Sequence, residues 1–238
     1  MLSEVITALS YAQDLTEGAV PGHALRRCLV GMRVAEEIGL DTARMNSLYY
    51  ALLLKDIAGN SAESGFDIAS ASARADRGAS IMRKLGMGEM AAEAVRCVDE
   101  RWDGAGIPDR LRGEKIPLLA RICAVARHLD IISTLRGARC AMEALTERSG
   151  TWLDADLVRS AKSVDARGTL WTNCFAGDSE EKMRRAVLDL DPGRRQYVEA
   201  AEIDLVCEAF ADVVDAKSHC TFSHSMGVAD AAVAIANG

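Results

Sequence analysis

Apolar residues recur at helical spacing in several stretches of the chain. Leu25, Leu29, Met32 and Ile38 form one stripe between polar Arg26, Arg33 and Glu37. Met45, Leu48, Tyr49 and Leu52 form a second, which runs into Lys55-Asp56. A third begins after Pro117 and carries Leu119, Ile122, Cys123, Ala126 and Leu129. Positions three, four and seven apart share one face of a helix, so each stretch predicts an amphipathic helix with its apolar side on a core. Gly39 and Gly59 stand where such helices should stop. Residues 1–15 are also amphipathic, and 91–101, 140–148 and 154–164 predict shorter helices. No alternating run of β-branched and aromatic residues reads as a strand. The expected fold class is all-α.

Past residue 165 the texture changes. Between 166 and 195 glycines and charges cluster and only 180–190 is patterned as a helix, which predicts a connector without a core. A long amphipathic helix is expected over 196–215, and another start over 221–237. This second start repeats the first: His23 follows Asp14 by nine residues, and His224 follows Asp215 by nine. Ala8, Leu9 and Ala12 correspond to Ala209, Phe210 and Val213. The division expected is a helical domain over 1–165, a connector over 166–195, and the truncated start of a second copy over 196–238. Val228, Ala232 and Ile235 would leave an apolar stripe needing a partner surface, and the chain reads as the N-terminal part of a longer protein.

Composition sharpens the picture. Apolar residues make up 49% of the chain and aromatic ones 5%, a balance suited to a helical core. The net charge of −7 excludes an overall basic field for nucleic acid or anionic lipid. No apolar run approaches the ~20 residues that span a bilayer. Glu4 and Asp14 interrupt any secretory leader. Seven cysteines, none in a C-x-x-C pair, read as reduced thiols filling a core, which points to a cytoplasmic protein.

The densest chemistry lies in Asp99-Glu-Arg-Trp-Asp-Gly-Ala-Gly-Ile-Pro108, which leads through Leu111-Arg-Gly-Glu-Lys-Ile-Pro117 into the third helix. This segment resembles the HD-GYP family, bacterial phosphodiesterases of cyclic dinucleotides with the signature His-His-Glu-x-x-Asp-Gly-x-Gly-Tyr-Pro. Glu100, Asp103, Gly104, Gly106 and Pro108 stand in register, with Ile107 in place of the tyrosine. The resemblance extends over roughly residues 1–165 and implies a helical HD-domain bundle.

The resemblance also implies a chemistry: two or three iron- or manganese-type ions, held by histidines and a bridging aspartate, activate a water against a phosphodiester. Carried over position by position, the opening histidine is His23. The His-Asp pair falls on Lys55-Asp56, a later histidine on Arg74 ahead of Gly78, and the His-His pair on Val98-Asp99. Of two further aspartates, one falls on Arg127 and the other is kept as Asp130. The relic ligands are therefore His23, Asp56, Asp99 and Asp130, and three ligand positions carry the cations Lys55, Arg74 and Arg127. No intact catalytic set and no cofactor are expected here. The three cations are expected to hold Asp56 and Asp130 in a salt-bridge network, or else to bind a nucleotide phosphate. Lys55, Arg74, Arg101, Asp103 and Arg127 are the ligand-binding candidates. Arg101 and Arg112 could equally be solvated surface residues. His219-Cys220-x-x-x-His224 has a metal-like composition, but His224 matches the opening histidine of a second copy, so no metal site is expected to close there.

The expected function is that of a degenerate HD-GYP module, regulatory, dimerising or nucleotide-sensing, in a cyclic-dinucleotide signalling protein. Its partners would be a second copy of the chain, a downstream HD-GYP domain or a cyclic dinucleotide. The alternative is an active iron- or manganese-dependent phosphodiesterase of the cyclic di-GMP type, with catalysis mainly beyond Gly238.

Overall fold

The computed structural model describes residues 2–16, 22–58, 68–175 and 180–193, with 208 and 227 singly. Among these, the chain is all-helical: α1 (Leu2–Thr16), α2 (His23–Glu37), α3 (Thr42–Leu54), α4 (Ile68–Lys84), α5 (Glu89–Arg96), a 3-10 turn (Gly113–Lys115), α6 (Leu118–Arg136), α7 (Ala138–Glu147), α8 (Ala155–Ala166) and α9 (Glu180–Asp189). The β-type pairing among them is one isolated bridge between Ser149 and Leu153.

The central element is α2, which packs against α1, α3, α6, α8 and α9. Nearly its whole circumference is buried, from Ala24 to Met32. Gly31 allows the closest approach: a Cβ there would lie 2.7 Å from the Leu52 methyls and 3.2 Å from the Ala126 Cβ. Leu48, Leu52, Ile122, Cys123, Ala126 and Leu129 close the same core, as their spacing predicts. Local signals set the ends. Asp41 caps α3 by accepting from the Arg44 N–H at 2.9 Å, and Asp154 caps α8 by accepting from the Asp156 N–H at 2.9 Å. Gly39 follows α2 in the left-handed conformation, and its N–H donates to the Glu36 carbonyl at 3.0 Å.

Several expectations differ from the fold. Arg26, assigned to a polar face, is buried. The helix expected over 91–101 ends at Arg96, and α4 has no counterpart among the predicted stripes because its face is built largely of alanine. The connector expected over 166–195 contributes to the core, since Leu170, Cys174, Met183 and Val187 are buried in it and α9 lies on α1 and α2. Glycine and charge density marked the turns there but not the few apolar anchors between them. Gly59, His224 with the apolar positions of its repeat, the Val228–Ile235 stripe and, but for Glu208, the 196–215 helix lie outside the described residues. No helix among the described residues is long and apolar enough to cross a membrane.

Candidate functional site

Four elements deliver charged side chains to one pocket. Lys55 and Asp56 follow α3 in a turn, Arg74 comes from α4, Asp99 from the turn after α5, and Arg127 from α6; Ala58, Ala75, Gly78, Val95, Arg96 and Val98 complete the lining. The fold thus assembles Lys55, Asp56, Arg74, Asp99 and Arg127. It places Asp130 elsewhere, paired with His23 through Nδ1 and with Arg26 through Nε at 2.9 Å. The expected pairing of Lys55, Arg74 and Arg127 with Asp130 is therefore corrected. Along α6, Arg127 and Asp130 serve two different carboxylate centres, because α2 presents Arg26 to the buried aspartate first.

Each pocket carboxylate is held by two cations. Asp56 pairs with Lys55 and with Arg27, whose Nη1 lies at 2.8 Å. Arg27 is fully buried and its Nε donates to the Leu52 carbonyl at 2.8 Å, which ties α2 to α3 behind the pocket. Burial alone would raise the Asp56 carboxyl, but Lys55 and Arg27 beside it outweigh that effect and hold it well below the usual carboxylate range. Burial pushes the Lys55 ammonium down to about 8, although Asp56 supports its charge. Asp99 pairs with Arg127 and, at 3.6 Å, with Arg74. Below Arg27, Asp14 accepts from the Ala24 N–H at 3.2 Å, and burial pushes its carboxyl up.

Arg26 and Arg27 are the site residues that sequence reasoning missed. A signal existed for Arg27: Val30, Gly31 and Val34, three, four and seven residues on, are all buried, so the helix face it heads is apolar too.

The motif loop lies beside the pocket and does a different job. Glu100 is buried, and its carboxylate accepts from the Asp109 N–H at 2.7 Å and the Leu111 N–H at 3.0 Å. Asp103 accepts from the Ala105 N–H at 2.9 Å and pairs with Arg101 at 2.5 Å. Gly106 has no room for a side chain: a Cβ there would meet the Arg101 nitrogen at 2.2 Å. Gly104 turns the chain in the left-handed conformation, and Ile107 and Pro108 are half-buried. The turn before α8 clamps the loop, since the Trp102 and Asp103 N–H groups donate to the Trp152 and Thr151 carbonyls at 3.1 and 2.8 Å. Arg101 and Arg148 lie over the Trp152 ring, 4.2 and 4.8 Å from its centre, and His128 meets it edge-on. Burial pushes His128 down to about 4, and its Nδ1 lies 2.8 Å from the Ala124 carbonyl. Arg101 and Asp103 do not line the pocket, and Arg112 is exposed.

The pocket does not fit the iron or manganese centre that the HD-GYP resemblance implies. Its two carboxylates face an ammonium and three guanidiniums, and the His23 ring nitrogen is directed at Asp130. Among the described residues no three His, Cys, Asp or Glu side chains gather closely enough to hold a metal. A divalent ion would meet like charges where it needs neutral or anionic donors.

Comparison with known proteins agrees with the loop. A family model described as "HD domain" matches residues 64–157. The chain is 27% identical to the 3'3'-cGAMP-specific phosphodiesterase 3 of Vibrio cholerae serotype O1, an alignment covering 96% of this chain and 61% of the relative. It is 40% identical over 48 residues to the 3'3'-cGAMP-specific phosphodiesterase 2 of the same organism. A crystal structure of a cyclic GMP-AMP-specific phosphodiesterase of V. cholerae superposes with a TM-score of 0.84 at 28% identity, covering 94% of this chain and 62% of that one. The chain spans about three fifths of the length of the full relative and of the solved structure it matches. With the Glu100–Pro108 signature folded as a buried-glutamate loop on an all-helical bundle, residues 64–157 match the HD-domain family and the chain resembles its HD-GYP type.

Proposed function

We propose that this chain is a regulatory module of a cyclic-dinucleotide phosphodiesterase and performs no metal-dependent hydrolysis in the pocket described. The observation that carries this reading is the pairing of both pocket carboxylates with side-chain cations, Asp56 with Lys55 and Arg27, and Asp99 with Arg127 and Arg74. A divalent ion would have to displace those cations at both carboxylates, and the donors it would gain are too few for a metal-activated water. The named relatives act on 3'3'-cGAMP, which makes that nucleotide, ahead of cyclic di-GMP, the one such a protein would serve.

Metal analysis of the purified chain, expressed with added iron and manganese, tests the reading. The expected result is well under one equivalent of either metal and no hydrolysis of 3'3'-cGAMP that chelation abolishes. Two equivalents of metal with chelator-sensitive turnover would overturn it. A second reading, in which the complete protein hydrolyses 3'3'-cGAMP at another HD-GYP unit, is supported by the names and greater length of the relatives. It would be tested by turnover in a longer chain that keeps this pocket unchanged.

A further inference from the structure

We propose that a strip of surface beside the motif loop, made by Trp152, Ile131 and Leu135 with Arg148 and Arg136 at its ends, docks an acidic amphipathic helix of another protein. The proposal goes beyond the reading above and stands whatever the charged pocket binds.

The strip is apolar along its length. Trp152 is 40% exposed, Ile131 36% and Leu135 74%, and they are three of the five large apolar side chains that stand in solvent among the described residues. The His128 ring meets Trp152 edge-on, and Ile131 and Leu135 follow His128 by three and seven residues on the same face of α6. Apolar surface therefore continues from Trp152 along about two turns of helix. Single apolar side chains in solvent are ordinary, whereas a row of them with a polar rim marks an interaction site.

Charge selects the occupant. Arg148 lies over the Trp152 ring and Arg136 adjoins Leu135 in the last turn of α6; among the described residues neither meets a carboxylate. Arg101, on the same ring, already pairs with Asp103. A guanidinium stacked on a ring is held in place while its N–H edge remains available to a carboxylate. Tryptophan and arginine are also the side chains that most often anchor protein interfaces. A second copy docked through the same strip would set these arginines against each other, which disfavours a dimer. An anionic bilayer is disfavoured by the net charge of −7 and by Glu147, exposed next to Arg148. A helix with apolar residues three and four apart, flanked by Asp or Glu, satisfies both the apolar row and the two arginines. Its docking would bear on the motif loop, because the Trp102 and Asp103 N–H groups donate to the Trp152 and Thr151 carbonyls.

Fluorescence anisotropy of the full chain with a labelled peptide of about 18 residues tests this, its leucines at helical spacing and its flanks glutamate. The same peptide with lysine for glutamate, and phosphatidylserine vesicles, are the comparison probes. The glutamate peptide is expected to bind and the lysine peptide not to. Leu135→Ser and Arg148→Glu are each expected to weaken binding by about tenfold. Arg184→Glu, the same charge change on α9, should alter it by no more than about twofold. Bound peptide should also slow amide exchange at Trp102 and Asp103. Should Arg148→Glu fail to fold, Leu135→Ser decides alone, since that side chain lies mostly in solvent. Binding of neither peptide, equal binding of both, preference for the vesicles, unchanged affinity in Leu135→Ser or unchanged exchange at Trp102 and Asp103 overturns the proposal. None of these outcomes touches the non-catalytic reading, which metal analysis decides separately.

Discussion

The motif loop and the charged pocket are neighbours in space, yet they have kept different things. The loop retains Glu100, Asp103, Gly104, Gly106 and Pro108 of the HD-GYP signature, and three of them hold or fit the backbone: Glu100 accepts two loop N–H groups, Asp103 a third, and Gly106 lies against the Arg101 nitrogen. The pocket carries Lys55, Arg74 and Arg127 at positions where the HD-GYP resemblance implies metal ligands. Residues that close the fold survive a change of chemistry, because losing them costs stability whatever the pocket binds. Residues whose use is to hold a ligand can be replaced once an internal counter-charge takes over. An HD-GYP loop is therefore evidence of the fold, and the pocket must be read separately for its chemistry.

Four measurements can break or sharpen that contrast. The largest effect is expected for Gly106→Ala, where the added Cβ would sit 2.2 Å from a backbone nitrogen that cannot move alone. Urea unfolding should show a loss of more than about 4 kcal/mol, and a loss under about 1 kcal/mol would mean the loop is not the rigid part. Next comes Arg27→Met, which removes a fully buried partner from Asp56 and leaves the Leu52 carbonyl without that donor. A cost of about 3 kcal/mol is expected, and a neutral result would show that Asp56 does not depend on Arg27.

Glu100→Gln should cost about 1–2 kcal/mol, since an amide offers one acceptor oxygen where the carboxylate serves two N–H groups. Its effect should fall on the loop, visible as faster amide exchange at Asp109 and Leu111 while the pocket amides are unchanged.

The smallest effect at neutral pH concerns His128, which burial pushes down to about 4 in the folded chain. An unfolded histidine titrates near 6.5, so between those values the unfolded chain binds more protons and stability falls as the pH falls. His128→Gln removes that term. The difference in unfolding free energy between the two proteins should be flat above pH 7 and then shift in favour of the variant at up to about 1.4 kcal/mol per pH unit. Parallel pH profiles down to pH 4 would show that His128 is not held neutral.

The sequence alone determined the all-helical class, the stripes of α2, α3 and α6, and the identity of the motif loop. Those features are written in spacings of three, four and seven residues and in one contiguous signature, both of which are local. It did not disclose that Arg26 and Arg27 are buried, that Leu170, Cys174, Met183 and Val187 reach the core, or which carboxylate each cation meets. Arg127 and Asp130 are three residues apart on α6, but one faces Asp99 and the other faces His23 and Arg26. That choice is made by how α6 crosses α2 and where the turn after α5 comes to lie. Ion pairing falls off over a few ångströms, and at that scale only the packing of helices far apart in the chain decides which charges meet.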